Sequence, residues 1–154
     1  MYATDMTKRK PLDKMKCLII CKKSYSRLLI RSTMINVGVK GDAISDVEKC
    51  QDIYYKLTDY DFDVIIIDHD EYVDFSYIKE INNNPYVKNT PIMIVTKQQT
   101  EDFIRKAIEN GVSGIVLKPI PAQSLKKNLE KIPVKTNHKG HKTSKKQEEL
   151  KKSA

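Results

Sequence analysis

Three side chains that can react or bind ions, Asp68, Thr96 and Lys118, each stand directly after a short apolar run. A carboxylate can act as a nucleophile or pair with a cation, a hydroxyl donates a hydrogen bond, and an ammonium group binds anions. The simplest structural interpretation is a carboxylate that caps a loop or pairs with the Lys118 ammonium. Any further chemistry requires a fold that brings the three groups together.

Other charged and polar residues occupy similar positions along the chain. They follow the same apolar runs and include Cys21, Lys22, Lys23, Asp70 and Lys97. His69 lies between two aspartates, and a single histidine in an acidic loop is usually a solvated residue. We therefore assign His69 no role from the sequence.

The apolar runs themselves predict β-strands over residues 17–20, 64–67, 92–95 and 115–117. Each run is too short for a helix, is rich in β-branched residues and shows no alternation with polar residues. This pattern is typical of parallel strands that are covered by helices on both faces. A fifth, weaker strand is predicted over residues 43–47.

Helical spacing between these runs predicts helices over residues 24–37, 48–58, 77–82, 100–110 and 122–132. Ser24 and Thr100 are the predicted N-caps of the first and fourth helices, and Gly38 and Gly111 are their predicted stops. The residues expected to face the core on these two helices are Leu28, Leu29, Met34, Ile35, Val37, Phe103, Ile104, Ala107 and Ile108.

Five alternations of strand and helix predict an α/β fold with a doubly wound, five-stranded parallel sheet and helices on both faces. In such sheets the functional crevice lies at the carboxyl ends of the strands. The polar residues named above are all predicted at that edge, so we expect them to lie close together.

Three segments carry a resemblance to a known family, over about residues 15–132. Residues 63–68 read Asp-Val-Ile-Ile-Ile-Asp, residues 91–96 read Pro-Ile-Met-Ile-Val-Thr, and residues 111–119 read Gly-Val-Ser-Gly-Ile-Val-Leu-Lys-Pro. Together they resemble the receiver domain of bacterial two-component response regulators. That resemblance implies a flavodoxin-like fold and transfer of a phosphoryl group from a histidine kinase.

Carried over by position, the resemblance implies that Asp68 is the phospho-acceptor and that Thr96 and Lys118 contact the phosphoryl oxygens. An acid pair that holds Mg²⁺ is expected after the first strand in this family, but Cys21 and Lys22 stand there. A thiol and an ammonium group do not suit a hard divalent cation. No cofactor is therefore expected, or at most weak Mg²⁺ binding, as in an atypical or pseudo-receiver.

Two further features differ from the family pattern. The loop after Asp68 lacks the usual Pro and Asp-Gly, and Ile115 stands near the position of the common aromatic switch residue. Lys118-Pro119 indicates a rigid turn with a cis peptide bond, which needs no catalytic role.

Charge counting at the strand ends predicts a crevice that neutralises itself. Lys22 or Lys23, Lys97 and Lys118 would all lie near Asp68 and Asp70, so the cations at least match the acids. We expect a direct ammonium contact to Asp68 or Asp70, with Lys118 the first donor and Lys22 or Lys23 the next.

The basic character of the chain lies in its ends. The net charge of +8 divides into +3 for residues 1–16, −1 for residues 17–130 and +6 for residues 131–154. We therefore divide the chain into a basic N-terminal extension (1–14), a receiver-like domain (15–132) and a basic tail (133–154) that is expected to be disordered and removable without loss of the fold.

The composition excludes several classes of protein. Hydrophobic residues make up 40% and charged residues 31%, as in ordinary globular domains, and no apolar stretch is long enough to span a bilayer. A signal peptide is not indicated, so a cytoplasmic location is expected. The three cysteines suggest buried thiols, not disulfides or zinc ligands. An enzyme that acts on a small metabolite is disfavoured because the sequence contains no glycine-rich phosphate loop.

The first functional interpretation is a stand-alone receiver-like protein that signals by binding other proteins, either a histidine kinase or a downstream target. A second is a fully phosphorylatable switch that recruits its metal through Asp70 and Glu71. A third is an adaptor whose basic tail binds nucleic acid or an anionic membrane. Specific nucleic-acid binding is disfavoured because the tail contains no aromatic residue for base stacking.

Overall fold

The computed structural model describes residues 5–56 and 61–134, which form seven strands and five α-helices. In chain order the elements are β1 (Asp5–Arg9), β2 (Cys17–Ile20), α1 (Ser24–Val37), β3 (Ile44–Val47), α2 (Asp52–Lys56), β4 (Val64–Asp68), α3 (Ser76–Asn82), β5 (Ile92–Thr96), α4 (Glu101–Glu109), β6 (Gly114–Leu117), α5 (Ala122–Glu130) and β7 (Pro133–Val134).

Strands β2 to β6 form one five-stranded sheet in the order β3-β2-β4-β5-β6, and every neighbouring pair is parallel. This confirms the predicted fold class, including the weaker strand at residues 43–47. The sheet order places β4 at the centre, between β2 and β5. Asp68, the last residue of β4, therefore has strand ends on both sides.

The apolar strand residues divide between two cores, one on each face of the sheet. Within β2, Leu18 and Ile20 belong to one buried cluster, whereas Cys17 and Ile19 belong to the other. Successive side chains of a strand point to opposite faces, so a continuous apolar run serves both cores. Burial of each of the larger side chains contributes roughly 1.5–3 kcal/mol, which holds the central strands in place.

Helix α1 differs from its prediction in both its cap and its buried face. Lys23, not Ser24, is the N-cap residue, and Ser24 is the first residue of the helix. The buried residues are Ile30 and Met34, while Leu28 and Ile35 are about half exposed or more. Residues four positions apart lie on one helical stripe, and this stripe is the one that faces the sheet. Exposed Leu29 was likewise wrongly predicted to face the core.

Helix α4 confirms its predicted cap and half of its predicted core face. The Thr100 hydroxyl accepts a hydrogen bond from the backbone N–H of Phe103 at 3.1 Å. Phe103 and Ala107 are buried, but Ile104 and Ile108 are exposed because they lie one residue beyond that stripe.

The predicted glycine stops of α1 and α4 are confirmed. Gly38 and Gly111 have φ values of 124° and 91°, which favour glycine after a helix. The other helices shift by only a few residues: α3 begins at Ser76 and α5 ends at Glu130. For the helix predicted over residues 48–58, the structure shows Asp52–Lys56, and residues 57 and 58 lie outside the described residues.

A small antiparallel ribbon joins the two ends of the described chain. Strand β1 pairs with β7, so parts of the predicted extension and tail contribute one strand each. The Lys10 ammonium lies 3.0 Å from the Asp63 carboxylate, which also accepts a hydrogen bond from the Lys16 backbone. The predicted disorder of the tail from residue 135 onward lies outside the described residues.

Within residues 5–56 and 61–134, every helix is too short or too polar to cross a membrane.

Candidate functional site

The carboxyl ends of the parallel strands surround a crevice of about 240 Å³. Its charged lining consists of three acids and three lysines: Asp68, Asp70, Glu71, Lys23, Lys97 and Lys118. Five of these side chains follow β2, β4, β5 and β6, and the sixth, Asp68, ends β4. The charges of the lining therefore balance within the chain itself, as the sequence predicted.

Asp68 is the most deeply buried acid of the crevice, with 2% of its surface exposed. Its Oδ1 accepts a hydrogen bond from the Lys118 ammonium at 2.7 Å and another from the Asp70 backbone N–H at 3.1 Å. The predicted ammonium contact is thus present, and its donor is Lys118, the first of the predicted donors.

Lys118 is shared between two carboxylates. Its nitrogen also lies 3.2 Å from Oδ2 of Asp70, and the residue is held in place by a backbone hydrogen bond to Thr96 at 2.9 Å. The Lys118-Pro119 peptide bond is cis, as predicted. Burial alone would lower the pKa of Lys118, but its contacts with Asp68 and Asp70 outweigh burial and raise it. Lys118 is therefore charged at neutral pH.

Asp70 receives hydrogen bonds from the end of β5. The Thr96 hydroxyl donates to its Oδ1 at 2.6 Å, and the Lys97 backbone N–H donates to its Oδ2 at 2.9 Å. Burial tends to raise the pKa of Asp70, but these two hydrogen bonds and the Lys118 ammonium lower it below the ordinary value. Asp70 is therefore ionised at neutral pH and sits at the centre of three donors.

Glu71 supplies a carboxylate at the end of β2, where the family has its acid pair. Its Oε1 accepts from the Lys22 backbone N–H at 2.7 Å, and its Oε2 accepts from the Lys23 N–H at 3.0 Å. The Cys21 thiol is 3.6 Å from the same Oε2. Lys22 and Lys23 were predicted as the next ammonium donors to Asp68, but the structure uses their backbone amides on Glu71 instead.

Cys21, Asp68 and Glu71 place one sulfur and two carboxylate oxygens within 4.8 Å of one another. Burial, followed by the nearby Glu71 and Asp68 charges, raises the pKa of Cys21 to about 12, so the thiol is protonated. A neutral thiol is not a ligand for Mg²⁺, which prefers oxygen atoms. Of this set, only the two carboxylates suit Mg²⁺, and both already accept hydrogen bonds from the protein.

The interpretation of His69 as a solvated residue is wrong. It is 3% exposed, its Nδ1 is hydrogen bonded to the Tyr77 hydroxyl at 2.6 Å, and its ring contacts those of Phe75 and Phe103. Burial lowers the pKa of His69 despite the surrounding aspartates. Phe103 of helix α4 packs against the imidazole. This contact is distant in sequence, so the acidic neighbours of His69 could not predict it.

The central strand ending in a buried aspartate, with a threonine and a lysine from the next two strands, defines a receiver-type signalling fold. A family comparison agrees: residues 18–130 match the response regulator receiver domain. The chain belongs to this family, whose members act as switches in two-component signalling.

The sequence is similar to chemotaxis proteins. It is 28% identical to CheY of Pseudomonas aeruginosa over 123 residues, which cover 80% of this chain and 99% of the relative. It is 26% identical to CheY-3 of Vibrio cholerae over 118 residues, which cover 77% and 91%. The structure of CheY4 of Vibrio cholerae has the same fold, with a TM-score of 0.62, 22% identity, and coverage of 77% and 98%.

Proposed function

We propose that this protein is a cytoplasmic receiver that signals by binding other proteins, and that phosphorylation of Asp68 is impaired. The observation that carries this proposal is the Lys118 ammonium shared between Asp68 and Asp70. A receiver that depends on a metal needs acids in the place of Cys21 and Lys22, and here those positions contribute a protonated thiol and a backbone amide.

The partners that fit this proposal are a histidine kinase or a downstream signalling protein. Recognition by another protein depends on a folded surface and not on a bound metal, and the buried clusters on both faces of the sheet hold the fold together. Phosphoryl transfer requires more, because the charge that develops on the transferred group must be offset. Lys118 can offset only part of it, because its ammonium group already faces two carboxylates.

A fully phosphorylatable switch is the competing function, and the position of Glu71 favours it. Glu71, one of the two acids of the metal-dependent interpretation, lies within a few ångströms of Asp68. Asp70, the other acid, accepts hydrogen bonds from Thr96 and Lys97 instead. For this to work, Glu71 must offer a lone pair to the metal beside the hydrogen bonds that it accepts from the backbone of Lys22 and Lys23.

Incubation of the full chain with acetyl phosphate and Mg²⁺ separates the two functions. In the reaction, an Asp68 carboxylate oxygen bonds to phosphorus, the bond from phosphorus to the acetate oxygen breaks, and acetate leaves. We expect only a small fraction of the chain to gain the mass of one phosphoryl group. Rapid, complete gain that is lost in Asp68→Asn would overturn the proposal and establish the competing function.

Removal of residues 135–154 tests the adaptor interpretation, in which the basic tail carries the binding. Partner binding is compared between the truncated and the full chain. If binding to a kinase or target protein persists after truncation, the folded domain carries the interaction. Complete loss of binding with an unchanged melting temperature would instead assign partner binding to the basic tail.

A further inference from the structure

Three hydrogen-bond donors from two neighbouring strand ends converge on one point in the crevice. They are the Thr96 hydroxyl, the Lys97 backbone N–H and the Lys118 ammonium. A cluster of one neutral hydroxyl, one amide and one cation, all directed to the same place, is an arrangement that binds oxyanions strongly. In this chain the anion at that place is the carboxylate of Asp70.

The backbone brings Asp70 to this position. Residues His69–Glu71 form a single 3₁₀ turn, and Asp68 caps it by accepting a hydrogen bond from the Asp70 N–H. Because Asp68 holds the turn, Asp70, two residues after Asp68, is fixed in position. Its carboxylate reaches Thr96 and Lys97 at the end of the neighbouring strand β5. The carboxylate that would be phosphorylated and the anion that fills the donor cluster are thus parts of one short turn.

We propose that Asp70 is a built-in occupant of the oxyanion site formed by Thr96, Lys97 and Lys118, where it takes the place of a phosphoryl group on Asp68. This inference rests on the proposed function only in taking Asp68 as the phospho-acceptor position. Its consequence is that Thr96, Lys97 and Lys118 are held together on one anion without any modification of Asp68. A phosphoryl group on Asp68 would have to displace Asp70 from all three donors.

The electrostatics of the crevice point the same way. An aspartyl phosphate carries about 1.5 to 2 negative charges near neutral pH in place of the single charge of the Asp68 carboxylate, and Lys118 already faces two carboxylates. Because the Asp70 carboxylate remains ionised, the incoming group would repel it at close range. Asp70 therefore acts as a competitor for the donors, not as a helper of transfer.

Inorganic phosphate provides a probe that is independent of kinase, metal and partner. The test uses the full chain with Asp68→Asn, which removes the charge beside the donor cluster and leaves Asp70 in place. We expect Asp68→Asn to show little response to phosphate. The double variant Asp68→Asn with Asp70→Ala should bind phosphate about tenfold more tightly or better, since the donors are then free.

Two readouts report the binding. The melting temperature of the double variant should rise with phosphate but not with chloride at equal ionic strength, and the NMR signal of the Lys97 amide should shift with saturation. The matched control is Asp68→Asn with Asp74→Ala. Asp74 is an exposed acid of the same loop, and its carboxylate accepts a hydrogen bond from the Ser76 backbone N–H, away from the donor cluster. This control should therefore respond to phosphate like Asp68→Asn alone.

Equal phosphate responses in the double variant and its control would overturn the inference, because Asp70 would not be blocking the site. The absence of any response in all variants would overturn it as well, because the donors would not form an oxyanion site. If the double variant fails to fold, hydrogen exchange in the single variant Asp70→Ala, which removes the acceptor of the Lys97 N–H, replaces it. Exchange of the Lys97 amide should be faster than in the unmodified chain, and an unchanged rate would contradict the proposal. None of these outcomes depends on whether acetyl phosphate modifies Asp68, so the two proposals fail separately.

Discussion

The Lys118 ammonium lies 2.7 Å from Oδ1 of Asp68, a carboxylate that is almost completely buried. A buried carboxylate without a cation is costly, so this contact stabilises the strand-end crevice as well as setting its charge. The Asp70 carboxylate, 3.2 Å from the same nitrogen, completes a charge cluster formed by the protein alone.

Lys118→Met is expected to lower the free energy of unfolding by about 3 kcal/mol, the lower end of the range for breaking a buried ion pair, because Lys118 is about one fifth exposed. The control is Lys97→Met, whose exposed side chain is replaced while its backbone N–H remains on Asp70. Urea unfolding of the three proteins measures the difference.

The double variant Asp68→Asn with Lys118→Met should recover part of the lost free energy of unfolding. Both charges of the ion pair are then removed, so no buried carboxylate is left at residue 68 without a cation. If Lys118→Met unfolds at the same urea concentration as the unmodified chain, the ion pair contributes nothing and this account of the crevice is wrong.

Magnesium binding to the unmodified chain is expected to be weak and not to saturate in an ordinary calorimetric titration. The reason is the donor set, in which a protonated Cys21 thiol and the Lys22 side chain replace two acids. Cys21→Asp with Lys22→Asp should bind Mg²⁺ about tenfold more tightly or better, because two carboxylates are then added. Tight binding to the unmodified chain that disappears in Asp68→Asn would be evidence against this expectation.

The buried imidazole of His69 predicts a pH dependence of stability. Because burial lowers the pKa of His69 in the folded state, the unfolded chain takes up its proton first, near the ordinary pKa of about 6.5. The contribution of His69 to stability is therefore complete above that pH and declines as the pH falls towards the folded-state pKa.

His69→Phe keeps an aromatic ring against Phe75 and Phe103 but cannot titrate. Between pH 7.5 and 5.5, the free energy of unfolding should fall less steeply in this variant than in the unmodified chain. Equal slopes would show that His69 does not contribute to the pH dependence. The comparison uses the slopes alone, because the variant also loses the hydrogen bond to Tyr77.

The central sheet was predictable because buried parallel strands leave a strong local signal. The apolar runs at residues 17–20, 64–67 and 92–95 differ from the observed strands by one residue or less. The positions of Asp68, Thr96 and Lys118 at one edge then follow from the parallel order. The contact between Lys118 and Asp68 was predictable from the strand order and charge together, since the lysines that follow the neighbouring strands were expected in the crevice with this acid.

Other features depend on contacts that leave no local pattern. Glu71 binds backbone N–H groups of Lys22 and Lys23, and every residue except proline carries such a group, so no side-chain type indicates the contact. The predicted face of α1 was right at Met34 but missed Ile30, because the helix has apolar residues on several sides and only packing on the sheet selects the buried pair.

Truncation after Val134 is expected to leave the melting temperature almost unchanged, with the free energy of unfolding within about 0.5 kcal/mol of the full chain. The removed residues, 135–154, are rich in lysine and contain a single large apolar residue, Leu150. Truncation after Ile132 provides the comparison, because it also deletes the strand that pairs with β1. A drop of several degrees after Val134 would mean that the tail packs on the domain.

The most direct test of the central claim is a crystal structure of the full chain grown with Mg²⁺ and beryllofluoride, which mimics a phosphoryl group on a carboxylate. We expect the Asp70 carboxylate to stay on Thr96 and Lys97 and Lys118 to bridge Asp68 and Asp70, with no adduct on Asp68. A beryllofluoride group on Asp68, with Asp70 displaced and Mg²⁺ held by Asp68 and Glu71, would contradict this expectation.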